Sequence, residues 1–347
     1  MAKPIRVVIV DDSALMRQML TELLSRSGAI EVVGAARDPY EAREVIKAKN
    51  PDVITLDVEM PRMDGISFLE KIMTLRPMPV VMVSSLTREG SEAAVRALEL
   101  GAVDCVAKPD GSDGRGMEAM AGELVDKIRV ASAARLSAPR AHAAATGKGR
   151  IKARGKGTFK RFIAIGASTG GVERIRDLLT AMPPDCPPIV VTQHMGPHFV
   201  PSFAARLDAL SEPAVALATE GARLEIGKVY IAPGDRHLTV AKDSRGYYCR
   251  LQDTPPVSGH RPSVDVLFSS VAAAAGSGSV GVILSGMGRD GAAGMLAMRK
   301  AGCHTVGEQE SSCVVYGMPR AAMESGAVVA EMPLSQIAAE MLRAAEA

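Results

Sequence analysis

Val53-Ile54-Thr55-Leu56-Asp57 is a run of apolar and β-branched residues that stops on a carboxylate. A run of that kind is a buried strand, and an acid at its carboxyl end stands where ligands collect in a doubly wound sheet. Val7-Val8-Ile9-Val10 repeats the pattern and stops on Asp11-Asp12. Downstream, the run 80–83 is followed by Ser84, and the run 105–107 by Lys108-Pro109. Strands are therefore expected at 6–10, 31–35, 53–56, 80–83 and 105–107. Between them, stretches such as 13–27 and 39–49 carry apolar residues at three- and four-residue spacing, the mark of amphipathic helices. Five βα units in this order predict an α/β domain, a doubly wound parallel sheet of the flavodoxin-like type.

The strand ends carry chemistry. Asp11, Asp12 and Asp57 at one sheet edge repel one another and attract a hard divalent cation with oxygen ligands, Mg2+ being the natural choice. A cation there neutralises an incoming phosphoryl group, which one aspartate can attack. The Ser84 hydroxyl and the Lys108 ammonium can then hold the new phosphoryl oxygens. Any one of these residues could be an ordinary surface group ending a strand. All of them in sequence make a phospho-acceptor site.

At 347 residues the chain is long for one core, so two domains are expected. With 47% hydrophobic and 23% charged residues and a net charge of +2, nothing global implies nucleic-acid or membrane binding. The five cysteines, 105, 186, 249, 303 and 313, include no CxxC pair, which argues against a zinc site or a disulfide framework. No apolar run approaches about twenty residues, so no membrane insertion and a cytoplasmic location are expected. From about 131 to 157 the chain is rich in Ala, Gly, Lys and Arg without amphipathic period and reads as a basic tether, with contact to nucleic acid or acidic lipid the weaker alternative. The expected division is 1–125, a linker over 126–158, and a second domain over 159–347.

The second domain repeats the logic with different residues. A strand at 162–165 runs into Gly166-Ala167-Ser168-Thr169-Gly170-Gly171 and then a helix. Such a turn exposes a serine hydroxyl beside the free N–H groups of a helix start. It satisfies G-x-S-x-G, yet the same glycines could cradle a phosphate; the ribose-binding acid of a dinucleotide site is missing, because the next strand, 189–192, ends in Gln193-His194. His194 belongs at the same sheet edge as Ser168, although a lone histidine is more often structural. A third strand, 279–284, enters Ser285-Gly286-Met287-Gly288-Arg289-Asp290, where Asp290 either caps a helix or orients the imidazole. Strands are also expected at 228–232 and 237–241, with Gly234-Asp235 between them as a hairpin turn. Met295 and Met298 read as core, and His260-Arg261-Pro262-Ser263 as either a cleft lining or a structural loop.

These motifs carry a resemblance. Residues 1–125, with Asp11-Asp12, Asp57, Ser84 and Lys108-Pro109, resemble the receiver domain of two-component response regulators. That implies Asp57 as phospho-acceptor, Asp12, Asp57 and the Glu59 backbone carbonyl as Mg2+ ligands, Asp11 in support, and a histidine kinase as phosphodonor. Cys105 replaces the aromatic residue that usually stands three positions before the lysine, so the signal is expected to travel by domain packing. The motifs GASTGG (166–171), Gln193-His194-Met195, Gly259-His-Arg-Pro-Ser-Val-Asp265 and Gly286-Met-Gly-Arg-Asp-Gly-Ala292 are similar to the chemotaxis protein-glutamate methylesterase family (CheB). The resemblance implies a second Rossmann-like α/β/α domain with a Ser168–His194–Asp290 triad. It further implies an oxyanion hole from the Met287 N–H with Thr169, no cofactor for the ester hydrolysis, and methyl-accepting chemoreceptors as substrates, with glutamine deamidation as a related activity. The unphosphorylated first domain is then expected to cover the Ser168 cleft. The rivals are a DNA-binding output, for which this half is too large and strand-rich, a nucleotide-binding module, and a non-catalytic scaffold.

Overall fold

The computed structural model describes residues 3–85, 87–109, 116–136, 151 and 159–346. The chain divides into two compact units, Met1–His142 and Ala143–Ala347. Among the described residues, no helix is long and apolar enough to cross a membrane. Most of the tether expected over 126–158 lies outside the described residues.

In the first unit β1 (Ile5–Val10), β2 (Ile30–Ala36), β3 (Val53–Asp57), β4 (Val80–Ser84) and β5 (Asp104–Ala107) form one sheet in the order β2-β1-β3-β4-β5. Every pairing is parallel. The helices α1 (Ala14–Ser25), α2 (Pro39–Lys49), α3 (Gly65–Leu75), α4 (Arg88–Glu99) and α5 (Met117–Ser132) supply the crossovers. Strands β3 and β4 are buried along their whole length, as strands covered on both faces must be, which is why they read as unbroken apolar runs. The strand order reverses between β1 and β3, so Asp11, Asp12 and Asp57 meet at the switch point. Helix α5 continues through residue 125, the expected end of this domain, because Leu124, Ile128, Val130 and Ala131 are all buried; an amphipathic helix keeps going while its apolar face has something to cover.

The second unit holds β6 (Phe162–Ala167), β7 (Ile189–Gln193), β8 (Ala214–Leu217), β9 (Lys228–Ile231), β10 (His237–Asp243), β11 (Gly246–Gln252), β12 (Ser279–Ile283), β13 (His304–Glu308) and β14 (Ala330–Met332). Seven of these make a parallel sheet ordered β14-β13-β12-β6-β7-β9-β8. Its helices are α6 (Gly171–Ala181), α7 (Val200–Leu210), α8 (Val264–Ala275), α9 (Ala292–Lys300), α10 (Met318–Glu324) and α11 (Leu334–Glu346). Strand β6 is the first of the domain yet sits inside the sheet with β7 on one side and β12 on the other, which makes its carboxyl end the switch point.

The expected antiparallel element exists, but not where the glycine placed it. The hairpin is β10–β11, a separate two-stranded sheet that turns at Asp243–Gly246, where Gly246 takes φ 114°. Gly234 is needed for close approach instead: a Cβ there would lie 2.4 Å from the Pro197 Cα. Strands β9 and β10 are therefore consecutive in the chain but belong to different sheets.

Candidate functional site

At the switch point of the first unit, oxygens of Asp11, Asp12 and Asp57 lie within 4.8 Å of one another. Three hard oxygen donors at that spacing fit a divalent cation bound through carboxylates. Lys108, which follows β5 on the same carboxyl edge, forms ion pairs through Nζ with Asp57 Oδ2 at 2.7 Å and with Asp11 Oδ2 at 2.9 Å. The Glu59 N–H donates to Asp57 Oδ1 at 3.3 Å, and the Glu59 carboxylate accepts from Ser85 Oγ at 2.7 Å. Ser84 is fully buried and its hydroxyl donates to the Gly90 carbonyl at 2.8 Å, so its side chain has to turn before it can meet a phosphoryl oxygen. Cys105 is buried on β5, and burial pushes its thiol up to about 12, which leaves it an inert core residue.

Burial raises the Asp57 carboxyl from its ordinary 3.8 to about 6, against the lowering pull of Lys108. A carboxyl whose folded value lies above its unfolded one costs nothing below 3.8 and its full penalty above 6. Two units correspond to about 3 kcal/mol. Asp57→Asn should therefore raise the unfolding midpoint of this domain at pH 7.5, and the gain should fade as pH drops from 6 to 4 in parallel melts. A gain that ignores pH would mean that Asp57 is not the titrating group.

In the second unit, Ser168 follows β6, His194 follows β7, and Asp290 lies in the turn after β12. The His194 N–H donates to the Ala167 carbonyl at 3.1 Å, tying the start of one turn to the end of the neighbouring strand. His194 Nε2 meets Asp290 Oδ2 at 2.7 Å. Its other nitrogen, Nδ1, is buried and has no hydrogen-bond partner among the described residues. With Nε2–H donated to a carboxylate, Nδ1 carries the lone pair and is the nitrogen left to take a proton. Ser168 is 9% exposed, and its bond to His194 is not made in this state, as is common before substrate binds.

Asp290 is more than a helix cap. Besides His194 it accepts from Ser263 Oγ (2.8 Å), the Val264 N–H (2.7 Å) and the Asp265 N–H (3.1 Å), at the start of α8. Burial alone would raise its carboxyl, but the His194 contact, Ser263 and Val264 outweigh burial and hold it at about 2.

The Gly286–Met287 turn lies directly against the serine. A Cβ on Gly286 would fall 2.8 Å from Ser168 Cβ and 2.3 Å from Met318 Sδ, so only glycine lets the two turns touch. The Met287 N–H makes no hydrogen bond to a described residue, and the Met287 side chain is 46% exposed. Met295 and Met298 are fully buried core, as expected.

Ser263, Glu308, Ser285 and Arg174 add contacts around these turns that sequence alone does not reveal. Ser263, part of the 260–263 loop, also caps α8. Glu308, at the end of β13, accepts from the Ser285 N–H at 2.8 Å, and the Ser285 hydroxyl donates to the Thr169 carbonyl at 2.9 Å. Burial raises the Glu308 carboxyl, while Arg174 beneath it pulls the other way; Arg174 also donates to the Ser312 carbonyl at 2.8 Å. Glu308 ends β13, whose sequence His304-Thr-Val-Gly-Glu308 carries only one large apolar residue, so no apolar run pointed to it. Arg261 pairs with Asp253 at 2.9 Å rather than with Ser168, His194 or Asp290.

The family model for the CheB methylesterase matches residues 163–341, and that for the response regulator receiver domain matches residues 7–115. Curated relatives named protein-glutamate methylesterase/protein-glutamine glutaminase resemble the chain along its length. The one from Caulobacter vibrioides is 56% identical over 348 residues, covering 100% of this chain and 99% of its own. The one from Rhizobium etli is 53% identical over 344 residues, covering 99% and 97%. The one from Salmonella typhimurium is 53% identical over 338 residues, covering 97% and 96%. Among solved structures, the Thermotoga maritima CheB methylesterase catalytic domain is 35% identical with a TM-score of 0.52, covering 53% of this chain and 97% of that one.

Proposed function

The chain belongs to the CheB methylesterase family, and from that premise we propose that it hydrolyses γ-glutamyl methyl esters of chemoreceptors under the control of phosphorylation at Asp57. The observation that carries the hydrolase reading is the 2.7 Å contact between His194 Nε2 and Asp290, which leaves a buried Nδ1, without a partner among the described residues, at the sheet edge that presents Ser168.

In this reading His194 Nδ1 takes the Ser168 proton as Oγ bonds to the ester carbonyl carbon. The Met287 N–H, with Thr169, stabilises the oxyanion. Collapse breaks the bond to the methoxy oxygen, which receives the proton from His194 and leaves as methanol. Water then gives its proton to the same nitrogen as its oxygen bonds to the acyl carbon; the bond to Ser168 Oγ breaks, Oγ takes that proton back from His194, and the glutamate side chain is released. Asp290 stays ionised throughout and holds the Nε2–H tautomer. The relatives' second name suggests the same machinery acting on glutamine side chains, with ammonia as the leaving group.

Control resides in the first domain. Mg2+ held by Asp12, Asp57 and the Glu59 carbonyl, with Asp11 in support, supplies charge neutralisation when bound. Asp57 is the nucleophile towards a histidine kinase's phosphoryl group, and Lys108 and Ser84 read the product. Methanol release from membranes carrying methylated chemoreceptors tests the substrate: release above the enzyme-free rate is expected, and none would remove the esterase reading.

A further inference from the structure

The loop at 253–263 is left over by this mechanism, yet it touches two members of the triad. The rings of His194 and His260 stack face to face, with centroids 3.7 Å apart and planes 12° from parallel. From the same loop, Ser263 Oγ donates to Asp290. The bond to Asp290 holds one edge of the His194 ring but leaves the tilt of its plane open. A flat group in contact with one face closes that freedom. We infer that His260 is a positioning residue that fixes the plane of the His194 imidazole and so the direction of its Nδ1 lone pair. The inference rests on His194 being the general base.

His260 is itself held firmly enough for the task. It closes a two-residue turn, with the Val257 N–H donating to the His260 carbonyl (3.0 Å) and the His260 N–H to the Val257 carbonyl (2.9 Å). Ser258 and Gly259 take φ 54° and 81° inside it, the signs a tight primed turn requires. Beyond the turn, Arg261 Nη1 donates to Asp253 Oδ1 (2.9 Å) and to the Thr254 carbonyl (3.2 Å). On the inner side the buried His237 accepts from the Ser263 N–H through Nδ1 and donates from Nε2 to the Pro255 carbonyl, each at 3.1 Å. The loop is thus stapled at both ends, and the face it presents to His194 is fixed relative to Asp290.

The test compares His260→Ala, His260→Phe and His260→Leu in the full chain, with kcat and KM for methanol release and a melting curve for each. Misdirecting a base typically costs one to two powers of ten, so His260→Ala should lower kcat by about 10- to 100-fold. KM should stay within about twofold, since no substrate contact is lost, and His260→Phe should recover kcat to within about fivefold of the parent. If alanine melts early, the Phe and Leu variants decide: both fill the space, and only Phe offers a flat face. Unchanged kcat in His260→Ala, a loss carried by KM, or Phe no better than Leu would each overturn the inference. His194→Ala is run alongside. Activity surviving in it removes the general-base reading itself, a failure distinct from that of His260.

Discussion

Ser168→Ala is expected to lower methanol release by at least about 10⁴-fold, because removing a nucleophile that acts as a unit with its base leaves only binding and the oxyanion donors. The substitution deletes one oxygen from a side chain that is 9% exposed, so the fold should be kept. Phosphorylation at Asp57 should proceed at the parental rate, since the groups proposed for it, Asp11, Asp12, Asp57 and Lys108, lie in the other unit. The two readouts together separate a lost nucleophile from a damaged protein. Turnover within tenfold of the parent would mean that Ser168 does not form the acyl-enzyme.

Asp290→Asn should be nearly as severe, at about 10³- to 10⁴-fold in kcat. Asp290 receives four donors: His194 Nε2, Ser263 Oγ and the N–H groups of Val264 and Asp265. Asparagine keeps only one accepting oxygen, and its NH2 then faces a donor. If the amide turns its NH2 to His194, Nε2 must become the acceptor and Nδ1 the N–H, so the base is lost. KM should move little. Because Asp290 is held at about 2, below its ordinary 3.8, the stability it contributes is present above 3.8 and goes only as pH falls through 2. At pH 7 that amounts to about 2 kcal/mol, so the variant should also melt lower. A loss below tenfold in kcat with the same drop in melting would reduce Asp290 to a cap on α8.

The residues that the sequence made visible are those for which position along a strand is enough. Asp57 closes a run that is buried over its whole length, and a parallel sheet puts all its carboxyl ends on one edge. Ser168, His194 and Asp290 were legible for the same reason: each follows a strand, and the strands β7, β6 and β12 are neighbours. The hairpin went astray because glycine has two uses. Gly234 serves close approach to Pro197, whereas the turn at Asp243–Gly246 carries no strong dipeptide signal beyond its own glycine. His260, Ser263 and Glu308 depend on contacts between segments far apart in the chain, such as the Ser263–Asp290 bond, and a non-repeating loop gives no period from which to infer them. Ser84 was placed correctly at the end of β4, but which atom its hydroxyl would choose depends on how closely Gly90 approaches.

Coupling between the two chemistries is the central claim, and one measurement reaches it most directly. Methanol release from methylated chemoreceptor membranes is followed for the full chain and for Asp57→Asn, each with Mg2+ and with or without a small-molecule phosphodonor. The phosphodonor should accelerate the parent severalfold and leave Asp57→Asn at its basal rate. Equal rates in the parent with and without phosphodonor, while Asp57 is demonstrably phosphorylated, would contradict it.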